Sequence, residues 1–238
     1  MARRVRTAAG HASCRKLRFF AMMSSMGPEL RRHARLPLAL LGVLAVISLA
    51  TLWSPPAGRT SWCLEVGPGL LEIAVLLAVY RRLPLSHFVY VAIFLHLQVL
   101  IYGGYYTYAL TPLGNWAKTA FDLSRNHYDR IGHLALGVVP SLLAREILLR
   151  CTPLKQGGWL FFLVCSVVLA FAAFWELLEW WTAVLAAPDI GQAFLGSQGD
   201  VWDAQWDMLL ALLGSLVTLP LAISAHVRSM ANVPAPAA

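Results

Sequence analysis

Charge is what this sequence has least of. Asp, Glu, Lys and Arg make up 13% of its 238 residues, while 58% are hydrophobic. A soluble domain is nearer about a quarter charged, so an ordinary cytosolic enzyme is excluded. The same scarcity excludes disorder for most of the chain, because apolar side chains far outnumber charges. Cysteine is sparse as well. Cys14, Cys63, Cys151 and Cys165 are far apart and form no Cys-x-x-Cys pair, which argues against a zinc ribbon or a disulfide framework. A glycine-rich phosphate loop is also missing.

The formal charge of +7 is unevenly spread. Residues 1–35 carry nine Lys and Arg against Glu29 alone, a net of +8, which leaves the rest of the chain near −1. The basicity therefore belongs to one arm, and topogenic charge beside a membrane explains it better than nucleic-acid binding. No nucleic-acid partner is expected.

Long apolar runs are what the chain has in abundance. A span needs about 20 mostly apolar residues to cross roughly 30 Å of hydrocarbon. Six windows qualify: 36–53, 62–80, 84–106, 131–149, 158–182 and 206–225. The second contains Glu65, Glu72 and Gly67-Pro68-Gly69, which predicts an irregular or broken helix. The first is too long and lacks the cleavage site of a signal peptide, so it is expected to be retained. With the amino terminus inside, 15 of the 19 Lys and Arg fall on the cytoplasmic side, which predicts both termini there. The phrases Arg35-Leu36-Pro37-Leu38, Arg82-Leu83-Pro84-Leu85 and Thr152-Pro153-Leu154-Lys155 suggest a proline in the first turn of each ascending helix.

The sequence thus predicts an all-α, polytopic protein whose principal partner is the lipid bilayer. Residues 1–35 form a basic cytoplasmic arm expected to be disordered. Residues 36–226 form a six-transmembrane-helix bundle, and 227–238 a short cytoplasmic tail. Within 109–130, Leu113, Trp116, Ala117, Ala120 and Phe121 follow helical spacing, with Asn115, Lys118, Thr119 and Asp122 opposite. That pattern predicts a short interfacial helix in the outer loop between the third and fourth spans. Trp62, Tyr102, Tyr105, Tyr106, Tyr108, Trp180, Trp181, Trp202 and Trp206 are expected to form an outer aromatic belt.

Ionisable groups inside membrane helices are costly, so each one marks a candidate site. The predicted topology gathers most of them in the outer half of the bundle. Glu65 and Glu72 come from the second span and His96 from the third. Asp129 and His133 share one face of the fourth, preceded by Asn126, His127 and Arg130. Glu176 and Glu179 close the fifth span, and Asp203 and Asp207 open the sixth. Carboxylates and imidazoles from facing helices are how bundle metal sites are made. His127, Asp129, His133, Glu176 and Glu179 are therefore candidate ligands for a divalent metal such as zinc, manganese or iron. Asp203 and Asp207 are candidate catalytic carboxylates beside it. Glu65, Glu72, His96, Asn126 and Arg130 are candidate binding residues. Two other readings remain open: a proton or cation pathway through Glu65, Glu72, His96 and Glu176, and a purely structural network tied together by Arg125 and Arg130. His87, His226 and the Arg145-Glu146 pair read as groups at the cytoplasmic surface.

Four phrases together carry a family resemblance. They are Ser124-Arg125-Asn126-His127-Tyr128-Asp129-Arg130-Ile131-Gly132-His133, Ala144-Arg145-Glu146-Ile147-Leu148, Glu176-Leu177-Leu178-Glu179-Trp180-Trp181, and Gly199-Asp200-Val201-Trp202-Asp203-Ala204-Gln205-Trp206-Asp207. In this order, and with Gly103-Gly104-Tyr105-Tyr106-Thr107-Tyr108, the chain resembles the YjdF-like family of bacterial inner-membrane proteins over about residues 37–225. The resemblance implies a multi-pass protein of the bacterial inner membrane. It supplies no catalytic residues or substrate. Function must therefore be read from the polar residues: a metal-dependent membrane hydrolase or transferase, a small-solute or ion-coupled permease, or a structural membrane protein.

Overall fold

The computed structural model describes residues 26–185, 191 and 194–235, and among these every regular element is helical. In chain order they are α1 (Pro28–His33), α2 (Arg35–Trp53), α3 (Arg59–Val79) and α4 (His87–Tyr106). A 3-10 turn (Tyr108–Leu110) and α5 (Pro112–Ala120) lead to α6 (Tyr128–Cys151), α7 (Gly158–Leu185) and α8 (Asp203–Met230). Hydrocarbon offers a backbone no hydrogen bonds, so long apolar segments satisfy their own N–H and C=O groups as helices. Five stretches are long and apolar enough to cross a membrane: Pro28–Trp53, Arg59–Val79, His87–Tyr106, Gly158–Leu185 and Asp203–Met230.

Two groups of helices pack side by side. On one side α2, α3 and α4 enclose Leu44, Val66, Val89, Ile93 and Leu97. On the other α6, α7 and α8 enclose Val164, Val168, Ala172, Ala211 and Leu219. Helix α6 joins them, packing on α4, α7 and α8, and its Val139 and Leu142 belong to the first core. Its buried face also includes Asp129, His133, Ser141, Arg145 and Glu146. Polar groups thus sit on a helix packed against three others, where partners are available.

Several local expectations are revised. Helix α3 runs unbroken through Gly67-Pro68-Gly69. Bare glycine serves packing there, since a Cβ on Gly69 would lie 2.4 Å from Leu97 Cδ2 of α4. Pro84 and Pro153 lie in connectors ahead of α4 and α7, and Ser86 caps α4 by accepting from the Val89 N–H. Residues 28–33, assigned to the basic arm, are helical, and Met26, Leu30 and Ala34 pack on Tyr80. The rest of that arm, residues 1–25 with Cys14, lies outside the described residues. Trp62 and Tyr108 are buried core residues rather than belt aromatics, whereas Trp180, Trp181, Trp202 and Trp206 are exposed. Helix α5 falls within 109–130 and leaves Leu113, Trp116 and Phe121 exposed.

A carboxylate-rich pocket at one end of the bundle

The carboxylate cluster forms where α6 and α8 cross without side chains between them. A Cβ on Gly137 would lie 2.1 Å from the Ala211 carbonyl oxygen, and one on Gly214 2.6 Å from that of Leu134. Gly137 follows His133 by one helical turn, and Ala211 follows Asp207 by one turn. The close crossing therefore sets His133 opposite Asp207. Helix α7 brings Glu176 and Glu179, one turn apart, to the same place.

Two sets of potential ligand atoms result, each within 4.8 Å of one another: Asp129, His133 and Asp207, and His133, Glu176 and Glu179. His133 is common to both. Its Nε2 lies 3.6 Å from Asp129 Oδ1 and its Nδ1 lies 3.7 Å from Glu176 Oε1. Both separations are too long for good hydrogen bonds. Among the described residues, His133 Nδ1, Glu176 Oε1 and Asp207 Oδ1 are buried and have no hydrogen-bond partner. Glu179 keeps one partner, the Trp175 indole N–H, which donates to Oε1 at 2.7 Å. Buried polar groups are normally paired, so three orphaned atoms from three helices in one pocket call for an explanation.

The loops over this pocket are tied down by two arginines. Arg125 donates to Asp203 Oδ1 and, at 3.1 Å, to the Gly196 carbonyl. Arg130 donates to Asp200 Oδ2 at 2.7 Å and lies 5.3 Å from the centre of the Trp206 ring. These bonds pair the arginines with Asp200 and Asp203, and among the described residues neither arginine forms an ion pair with the deeper acids. Asn126 is a clip rather than an open group. Its Nδ2 donates to Thr111 O and Asn115 Oδ1, and its Oδ1 accepts from Tyr128 N and Thr111 Oγ1. Its backbone pairs with the Gln198 amide through two further bonds. His127 precedes α6 outside the ligand sets, with Nδ1 buried and unpartnered. Burial, and then the charges of Arg130 and Arg125, hold its imidazole below the usual 6.5.

The remaining candidates are dispersed. Glu65 is buried within electrostatic range of Asp129 and Glu179. Glu72 is half-buried further along α3, and neither it nor His96 belongs to a ligand set. His96 is buried with Nε2 unpartnered.

A second polar network lies at the opposite end. Glu146 is 0% exposed and accepts from Ser86 N (2.7 Å), Ser86 Oγ (2.6 Å), His226 Nε2 (3.0 Å) and Arg150 Nη1 (3.1 Å). Arg145 Nη1 lies 3.1 Å from His226 Nδ1. Glu146, His226 and Arg145 are therefore interior groups, not surface ones. Ser86 was invisible as a partner because 60 residues separate it from Glu146.

The family model described as "Predicted membrane protein (DUF2238)" matches residues 36–228. The "Inner membrane protein YjdF" of Escherichia coli (strain K12) is 45% identical over 172 residues, 72% of this chain and 82% of that protein. No solved structure matches the chain.

Proposed function

The chain belongs to the DUF2238 family of predicted membrane proteins, and from that premise we propose that it is a metal-binding membrane protein with an outer-facing catalytic pocket. Helix α6 is a further span, the fourth of six in chain order, both termini are cytoplasmic, and α5 lies in the outer interface. The pocket binds a divalent cation through His133 Nδ1, Glu176 and Glu179.

One observation carries this reading: His133 Nδ1 and Glu176 Oε1 face each other at 3.7 Å, buried, with no hydrogen-bond partner among the described residues. Ligands about 2.0–2.2 Å from a tetrahedral cation stand roughly 3.3–3.6 Å apart. The observed gap is too wide for a hydrogen bond and close to that spacing. Asp129 faces the other imidazole nitrogen, where a carboxylate typically orients a metal-bound histidine. A divalent cation would offset the charge of acids that form no direct ion pair with either arginine among the described residues.

Such a cation polarises a bound oxygen and lowers the pKa of bound water, which suits hydrolysis or group transfer. Asp207, with Oδ1 unpartnered, is the free carboxylate beside it. Asp203 is held by Arg125 and serves to order the loop. The permease reading loses one support, since α3 continues through Gly67-Pro68-Gly69.

Metal analysis of the purified protein tests the proposal, with wild type compared to His133→Ala and Glu176→Gln. The expected result is close to one equivalent of metal in wild type and loss in both variants. Wild-type protein without stoichiometric metal under metal-replete conditions overturns it.

A further inference from the structure

The arginine-bearing end of α1 to α4 contains a feature unrelated to the metal pocket. An apolar crevice of about 70 Å³ opens between α2, α3 and α4, lined by Leu38, Leu41 and Leu44, by Leu77, and by Ile93 and Phe94. Its wall on α2 extends from Ala34 to Leu44. Ten residues of helix rise about 15 Å, half of a hydrocarbon core roughly 30 Å thick. The crevice is therefore as deep as one leaflet. Both of its tyrosine hydroxyls already have a protein partner. Tyr80 Oη lies 3.0 Å from His33 Nδ1, and Tyr90 Oη accepts from Leu85 N.

Arginines adjoin in sequence the lining residues at the Ala34 and Tyr80 end of the crevice. Arg35 follows the lining residue Ala34, and Arg81 and Arg82 follow Tyr80. Arg31 and Arg32 lie on α1, whose Leu30 packs on Tyr80. Arg31, Arg32, Arg35 and Arg82 are exposed, and among the described residues none of the five arginines joins an ion pair. An apolar slot one leaflet deep beneath unpaired arginines has the chemistry of an acidic phospholipid: an acyl chain below, a phosphate above.

We propose that this crevice is a binding site for an anionic phospholipid of the adjoining leaflet. Charge selects this occupant. A second copy of the chain would bring the same arginines against these, and residues 1–25 are themselves basic. A zwitterionic lipid carries no net charge to complement the rim.

Native mass spectrometry of the full chain tests this after equilibration with equal amounts of dioleoyl phosphatidylglycerol and dioleoyl phosphatidylcholine. Wild type is expected to retain phosphatidylglycerol preferentially. The Arg35→Gln/Arg82→Gln variant should lose that preference by about five-fold per arginine, at an unchanged melting temperature because both side chains are exposed. Leu41→Trp, which fills the crevice, should reduce retention of both lipids without changing their ratio. Equal retention of the two lipids by wild type, or an undiminished preference in the arginine variant, overturns the proposal. A lipid-free dimer broken by Leu41→Trp would identify the crevice as a subunit interface and also overturn it.

Discussion

His133 Nδ1 on α6 and Glu176 Oε1 on α7 face each other across 3.7 Å of buried space, and neither has a hydrogen-bond partner among the described residues. A protein interior seldom leaves a potential donor and an acceptor at that separation. Either the two close up into a hydrogen bond or something stands between them. The first predictions separate those cases.

Glu176→Gln removes one carboxyl group from a cluster that also contains Asp129, Glu179 and Asp207. The account expects metal affinity to fall by at least about ten-fold. It expects the melting temperature of the metal-stripped protein to rise, because crowded buried acids repel one another. Parallel titrations and unfolding scans in detergent check both signs.

Gly137→Leu tests the helix crossing that assembles the site. Its side chain must enter space held by the Ala211 backbone, 2.1 Å from where Cβ would sit. Overpacking of this kind costs about 1–3 kcal/mol or more, and metal should be lost with it. Gly67 has nothing within 4 Å of its Cβ position, so Gly67→Ala should be neutral or stabilising by up to about 1 kcal/mol. Thermal unfolding of the two variants side by side measures the contrast.

Glu146→Ala strands Ser86, His226 and Arg150 in the interior. Removing one partner of a buried ionic network costs about 3–5 kcal/mol, and that loss is expected here by chemical denaturation. Metal bound per folded molecule should not change, since this network occupies the other end of the bundle.

His127 gives a pH dependence with a defined sign. Its folded pKa lies below the ordinary 6.5 because of burial, then Arg130 and Arg125. Below 6.5 the unfolded chain therefore binds the proton more readily than the folded one. The neutral imidazole's contribution is fully present above 6.5 and is lost as the pH falls toward the folded pKa. His127→Gln should flatten the wild-type fall in melting temperature across that window.

The helical class and the membrane segments were legible because a 20-residue apolar run has few other uses. The acidic convergence was legible as well, because helices alternating in direction return to the same end. Asp129 with His133, Glu176 with Glu179 and Asp203 with Asp207 also carry helical spacing within their own segments. What spacing could not supply was depth and pairing between helices. Glu72 and His96 lie on the anticipated spans, yet neither enters a ligand set. Asn126 lies at the pocket's edge, but its four side-chain hydrogen bonds make it a loop clip. The Glu146 network escaped notice for a related reason. A charged pair near a helix end reads as surface until Ser86 and His226 arrive from distant segments to bury it.

Cobalt(II) titration of the metal-stripped protein tests the central claim most directly, because visible absorption reports both binding and coordination geometry. The account predicts intense visible bands that saturate near one equivalent, vanish in His133→Ala and persist in Glu72→Gln. Wild-type protein that gives no such bands, or bands unchanged by His133→Ala, would contradict it.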